Sequence, residues 1–320
     1  LEGEETEDYA GWGLAGAGDV DGDGLNDVLV GAPYNDETAA EAGKVYLITG
    51  EDLEEDDGTE NFELEDATYT FVGENEFDQL GYSVAGACDV DGDGLSDILI
   101  SAPYYNYPGA GSAGKVYLFL GESIEDSSSG EYELADADYF FEGTHNPGDN
   151  FGYAVSSAGD VDGDDLDDII ISSYGSDLGG LQSGAVYLFL AADLPEVGGT
   201  IAAEDAHIIF IGESNLDYAG ISIAGVGDID GDEKDDIVIG AAHNDAAGLQ
   251  AGAVYVWFGE TLETSGENDL SESDIIISGE AAGDYAGLSV ASAGDVDGDG
   301  QADLVIGAPE NDWWDNGGSN

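Results

Sequence analysis

Apolar positions fall in short runs along this chain, and the runs come in four recurring kinds. One is built of small residues, as in "GYSVAGA" (Gly81–Ala87) and "GLSVASA" (Gly287–Ala293). A second is almost wholly apolar, "DVLVGAP" from Asp27 and "DILISAP" from Asp97. A third reads "GKVYLI" from Gly43, "GKVYLF" from Gly114, "GAVYLF" from Gly184 and "GAVYVW" from Gly252. The fourth reads "YTFVGE" from Tyr69, "YFFEGT" from Tyr139, "IIFIGE" from Ile208 and "IIISGE" from Ile275. Rich in β-branched and aromatic residues and bounded by Gly, Asp and Asn, these runs predict strands and turns, and the sequence between them does not read as helix.

Between the first and second runs lies an acidic nonapeptide. "DVDGDGLND" from Asp19 returns from Asp89, Asp160, Asp228 and Asp295, at spacings of 70, 71, 68 and 67 residues. So regular a period means one structural unit used repeatedly. Four antiparallel strands per unit, with small residues on the strand nearest a crowded axis, predict an all-β fold: a β-propeller of four-stranded blades. A stacked β-solenoid is the alternative, although its coils are normally shorter. The blades fall at about 9–73, 79–143, 150–212 and 218–279, with strands one and two of a fifth at 285–310, all in one domain spanning 1–320. Residues 1–3 read as the end of a fourth strand, since "LEGEE" resembles "FVGEN". Either five blades close a ring, or the chain is part of a larger one. In a closed ring of five, the second strand of the last blade would be an unpaired edge able to template pairing with another chain.

The four aspartates of each nonapeptide carry the chemistry. Carboxylates at positions 1, 3 and 5 of a tight loop converge on one point, position 7 adds a backbone carbonyl, and hard oxygen donors suit calcium better than magnesium. An EF-hand would close with Glu at position 12. Here that position holds Val30, Ile100, Ile171, Ile239 and Ile306, so the closing ligand is instead the Asp at position 9. The expected ligand sets are Asp19, Asp21, Asp23, Leu25 and Asp27; Asp89, Asp91, Asp93, Leu95 and Asp97; Asp160, Asp162, Asp164, Leu166 and Asp168; Asp228, Asp230, Asp232, Lys234 and Asp236; and Asp295, Asp297, Asp299, Gln301 and Asp303. Up to five calcium ions are expected. Position 6 calls for a positive φ, which Gly24, Gly94 and Gly300 adopt freely, Asp165 less so and Glu233 least. Loops one, two and five therefore fit best and loop four least.

Composition narrows the function. With 73 acidic residues against three basic ones, the net charge is −70. Nucleic acid and anionic lipid are excluded as direct partners, because both need Lys and Arg. Self-repulsion of this size is relieved by salt, which cuts the Debye length to roughly 3 Å at 1 M, and by bound cations. A high-salt environment is expected. The single cysteine, Cys88, stands where Gly18, Gly159 and Gly294 stand, so no intrachain disulfide is possible and a small buried residue is expected there. No run is long and apolar enough for membrane insertion. The start at Leu1 and the lack of Met suggest a processed or excised piece of a longer product.

A first strand, a DxDxDGxxD loop, an apolar run ending in Gly-Ala-Pro and then GxVYL together resemble the FG-GAP repeat of integrin alpha-subunit β-propellers and their bacterial and archaeal relatives. Phe-Gly is literal at Phe151-Gly152 and becomes Ala10-Gly11, Leu80-Gly81, Ala219-Gly220 and Ala286-Gly287. Gly-Ala-Pro is literal at Gly31–Pro33 and Gly307–Pro309, and becomes Ser101-Ala102-Pro103, Ser172-Ser173-Tyr174 and Gly240-Ala241-Ala242. The resemblance implies calcium on one face of the ring and ligand contact through loops of the other. Integrin propellers have seven blades, which bears on ring closure here.

No catalytic constellation is expected. His145, His207 and His243 are isolated, and Ser156 and Ser157 lack a nucleophile elbow. Adjacent aromatics in polar loops, Tyr104, Tyr105 and Tyr107 in "YYNYP" and Trp313 with Trp314, are candidate contact residues. Acidic segments between strands three and four, such as Glu51–Ala67, read as solvated loops. The expected protein is a non-enzymatic, calcium-binding propeller, secreted or at the cell surface. It would act in surface or filament assembly through the incomplete fifth blade, or in adhesion through a protein or carbohydrate ligand. The accessory domain of a larger secreted hydrolase is the alternative.

Overall fold

The computed structural model describes residues 3–55, 62–107, 111–125, 130–144 and 146–311. Four complete blades follow one another. The first holds β1 (Gly13–Gly18), β2 (Asp27–Ala32), β3 (Lys44–Ile48) and β4 (Tyr69–Val72). The second holds β5 (Val84–Cys88), β6 (Asp97–Ala102), a small hairpin β7 (Asn106–Tyr107) and β8 (Gly111–Ser112), then β9 (Lys115–Phe119), β10 (Glu131–Glu133) and β11 (Tyr139–Glu142). The third holds β12 (Phe151–Gly159), β13 (Asp168–Ser173), β14 (Ala185–Phe189), β15 (Gly199–Ala202) and β16 (Ile208–Ile211). The fourth holds β17 (Ser222–Gly227), β18 (Asp236–Ala241), β19 (Ala253–Trp257), β20 (Gly266–Asp269) and β21 (Ile275–Ser278), and the chain ends in a two-stranded piece, β22 (Ser289–Gly294) with β23 (Asp303–Gly307).

Within each blade the strands pair antiparallel in chain order, as in β12–β13–β14–β16. Each first strand has a register shift just before the acidic loop, at Gly16/Gly18 in blade one and at the matching place in the other four. Such a bulge bends the strand and re-aims the chain that follows it. In blades two to four the second and third strands are buried throughout or nearly so, because both their faces meet neighbouring sheets. First strands pack side by side, β1 on β5, β5 on β12, β12 on β17 and β17 on β22, which is the radial arrangement of a propeller.

The segments between third and fourth strands differ from the expected solvated loops. In three blades they supply an extra strand to the blade before. β10 lies parallel to β4, β15 to β11 and β20 to β16. A single 3-10 turn follows each, and its first residue, Leu134, Ala203 or Leu270, is buried. Tyr132 of β10 stacks on Phe71 of β4 with ring centroids 5.0 Å apart. The approach is close: a Cβ on Gly198 would run into the carbonyl oxygen of Asp138. In blade one, Glu51–Ala67 begins in the helix α1 (Gly50–Glu55) and ends in a 3-10 turn that buries Leu64. A matching helix, α2 (Gly121–Glu125), follows β9, so short helical turns do occur between the strands.

Hydrophobic clusters lie between blades. One joins Leu29, Leu47 and Phe71 of blade one to Val84, Ile100 and Tyr117 of blade two. At the two ends this packing stops. Leu14 of β1 is 64% exposed, whereas Val84, at the same place in blade two, is 6% exposed. Ile277 of β21 is 37% exposed, whereas its counterpart Phe141 is fully buried. Among the described residues, no contact like that between successive first strands joins β22 back to β1.

Candidate metal centres and the opposite face

Each acidic loop is a tight coil of side-chain-to-backbone hydrogen bonds. In loop two, Asp89 Oδ1 accepts from the N–H groups of Gly92 and Asp93, and Oδ2 from Gly94. Asp91 Oδ1 accepts from Asp93 and Asp93 Oδ1 from Leu95, so each carboxylate is turned inward by the residue two ahead. Loops four and five repeat this pattern through Asp228, Asp230 and Asp232 and through Asp295, Asp297 and Asp299. Asp165 and Glu233 take the positive φ that Gly24, Gly94 and Gly300 take elsewhere, at 69° and 72°. Loop four therefore keeps the hydrogen-bond pattern of loops two and five, despite the strain of a non-glycine residue there.

The position-9 aspartate anchors the loop to the blade. Asp97 Oδ2 accepts from Val90 N–H and Oδ1 from Gly121 N–H, at 2.8 and 2.9 Å. Asp27, Asp168 and Asp236 make the same two bonds. Burial pushes their carboxyls up, to about 7 for Asp97 and Asp168 and about 6 for Asp27 and Asp236, and nearby loop carboxylates add to the shift. Asp303 keeps the bond to Val296 N–H.

Oxygen atoms of three aspartates converge in every loop, all within 4.8 Å of one another. The sets are Asp19, Asp21 and Asp27; Asp89, Asp91 and Asp97; Asp160, Asp162 and Asp168; Asp228, Asp230 and Asp232; and Asp295, Asp297 and Asp299. Asp19 Oδ1 and Asp162 Oδ1 are buried and have no hydrogen-bond partner among the described residues. Buried carboxylate oxygens left this way are costly unless a cation meets them. An all-oxygen donor set fits a hard divalent ion.

The loops join the end of one strand to the start of the next, so all five lie at one end of the blades. The opposite end carries an aromatic belt. Trp12 and Tyr34 meet Tyr9, Tyr82 meets Trp12, Tyr104 and Tyr153, and the belt runs on through Tyr174, Tyr218 and His243 to Tyr285. Neighbouring rings stand 4.1 to 6.3 Å apart. Tyr104 belongs to this belt. Tyr105 and Tyr107 do not: they pack on each other, and Lys115 lies 5.2 Å from the Tyr105 ring. Trp313, Trp314 and His145 lie outside the described residues. His207 sits 3.5 Å from Asp193, away from the belt.

A second set of aspartates was not singled out from sequence. Asp8, Asp78, Asp149, Asp217 and Asp284 are buried beneath the belt. Four accept from an asparagine, Asn35, Asn75, Asn244 or Asn311, and Asp149 accepts from Thr144. Their signal was the repeat itself, since each stands three residues before the glycine of the Phe-Gly element.

Blades of this kind with an acidic loop between strands one and two define an integrin-alpha-like propeller. The FG-GAP repeat family matches residues 10–48, 80–119, 151–189, 219–257 and 286–320, and the chain belongs to that family. Among its relatives, mouse integrin alpha-IIb is 32% identical over 181 residues, 55% of this chain and 16% of that protein. Drosophila melanogaster integrin alpha-PS2 is 33% identical over 183 residues, 55% of this chain and 12% of the relative. Bovine phosphatidylinositol-glycan-specific phospholipase D is 29% identical over 221 residues, 68% of this chain and 25% of the relative. The chain thus spans a quarter or less of these relatives. Among the described residues no helix is long and apolar enough to cross a membrane.

Proposed function

We propose that the chain is a non-catalytic, calcium-stabilised propeller unit of a secreted or cell-surface protein, acting in adhesion or surface assembly. The observation that carries this reading is the division of labour between the two ends of the blades: five registered carboxylate loops at one, a continuous aromatic belt at the other. The loops, filled by calcium through the aspartates and the position-7 carbonyls, would hold the blades in place. The belt would then be the contact surface, with Tyr104 at its middle. Interblade clusters support treating 1–320 as one domain. The net charge of −70 supports a high-salt setting.

Assembly has its own support. Among the described residues β21 and β23 are open edges, and Ile275 and Ile277 of β21 and Val305 of β23 are exposed. Light scattering at molar salt, with calcium and again with chelator, tests the two routes. Large calcium-dependent species support assembly, and a monomer in both supports a ligand-binding module. The phospholipase D match favours a further reading, an accessory propeller of a larger secreted hydrolase. The intact mass of the native product tests it: a much larger chain supports it, and a chain of this size counts against it.

A further inference from the structure

The acidic loops are not independent. The position-8 N–H of each loop donates to the position-1 carbonyl of the loop before it: Ser96 to Asp19, Asp167 to Asp89, Asp235 to Asp160 and Ala302 to Asp228, at 2.9 to 3.1 Å. The neighbouring position-7 side chain falls on the position-4 glycine of that same preceding loop. A Cβ on Gly22 would stand 3.1 Å from Leu95 Cδ2, one on Gly92 3.0 Å from Leu166 Cδ2, and one on Gly231 2.6 Å from Gln301 Nε2. At the remaining junction a Cβ on Gly163 would stand 3.5 Å from Lys234 Cε. Position 4 stands in the chain between the carboxylates of positions 3 and 5, so each position-7 side chain packs on its neighbour's acidic loop next to two candidate ligands.

Three of these four packing side chains are uncharged and one is a lysine. We propose, resting on the calcium reading above, that Lys234 lowers the calcium affinity of loop three, Asp160–Asp168, and not that of its own loop. The Lys234 backbone serves loop four, where its N–H donates to Asp232 Oδ1 at 2.9 Å. Its side chain lies on loop three, with Cε and Cγ against Gly163. Its Cε lies 3.5 Å from where a Cβ on Gly163 would stand, and Gly163 is flanked in the chain by Asp162 and Asp164, which places the end of the side chain within electrostatic reach of both carboxylates. A fixed positive charge there competes with a divalent ion and makes loop three the weak member of the row.

The test is calcium titration of the whole chain at about 0.1 M salt, by calorimetry with a competing chromophoric chelator. Lys234→Gln is expected to strengthen one site by about three- to tenfold. That gain should vanish in an Asp162→Asn background, persist in an Asp230→Asn background, and shrink in molar salt as screening removes it. A gain that survives Asp162→Asn and disappears with Asp230→Asn would overturn the proposal, as would no change in any background. If the wild-type chain binds no calcium, the calcium reading itself fails. Calcium binding indifferent to Lys234 would sink only the present inference. Leu166→Lys guards against a misfolded variant. It carries the charge onto Gly92, and weakening of loop two that disappears in Asp91→Asn is expected; unchanged loop-two affinity counts against the mechanism.

Discussion

Asp160 and Asp235, 75 positions apart, hold each other by a reciprocal pair of hydrogen bonds: Asp160 N–H donates to Asp235 Oδ2 at 3.1 Å, and Asp235 N–H donates to the Asp160 carbonyl at 3.0 Å. Asp89 and Asp167 repeat the relationship one blade earlier. Blade-to-blade contact thus runs through the acidic loops as well as the apolar clusters. Asp235→Ala leaves the Asp160 N–H without this partner and is expected to cost about 1–2 kcal/mol in saturating calcium. Asp235→Asn keeps an acceptor oxygen and should recover most of that loss. Thermal unfolding of the two variants checks this; equal losses would show that the bond is not the cause.

Some loop carboxylates are tied to buried N–H groups of the blade, and others are candidate ligands with few bonds of their own. Asp97 accepts from two buried N–H groups besides standing in the converging set of loop two. Asp97→Ala should therefore destabilise by at least about 2 kcal/mol in calcium and in chelator alike. Asp91 is exposed and, among the described residues, accepts only from Asp93 N–H at 3.2 Å. Asp91→Ala is expected to destabilise in calcium but to be neutral or mildly stabilising in chelator, where it relieves repulsion. Melting curves in both buffers separate the two roles.

The buried aspartates beneath the belt set a pH dependence. Burial raises Asp78 and Asp217 to about 6 from an ordinary 3.8, although each accepts from an asparagine. The native state then holds protons that the unfolded chain has released. Their contribution to stability is full below about 3.8 and is lost as pH rises through about 6. Asp78→Asn with Asp217→Asn removes that slope. The melting temperature of the double variant relative to wild type should rise between pH 4 and 7, and a flat difference would contradict the assignment.

The open edge makes a contrast with its buried counterparts. Phe141→Ala empties an interblade position and should cost about 3–5 kcal/mol. Ile277→Lys, at the matching exposed place, should cost less than about 1 kcal/mol. If self-assembly uses this edge, Ile275→Lys with Ile277→Lys should reduce calcium-dependent species to monomers in light scattering.

Much of this structure was legible because the repeat placed equivalent residues in register. The four strands per blade and the convergence of Asp19, Asp21 and Asp27 followed from run composition and loop spacing. The extra strands did not. Glu131–Glu133 offers one apolar residue between two charges, and its pairing is decided by the free edge of β4 in another blade. Tyr105 and Tyr107 looked like surface aromatics, yet their rings pack on each other and Lys115 lies 5.2 Å from the Tyr105 ring, contacts that the local pattern does not show. Lys234 read as a backbone-carbonyl ligand of its own loop, because nothing in a single loop shows that position 7 leans on the loop before.

The central claim is that calcium in the acidic loops holds the blades together. The direct measurement is the melting temperature at about 0.2 M salt in calcium, in magnesium and in chelator, with bound calcium counted in parallel. A marked rise in calcium, a smaller one in magnesium and up to five ions bound per chain are the expected result. The same melting temperature in all three, with no calcium retained, would contradict the account.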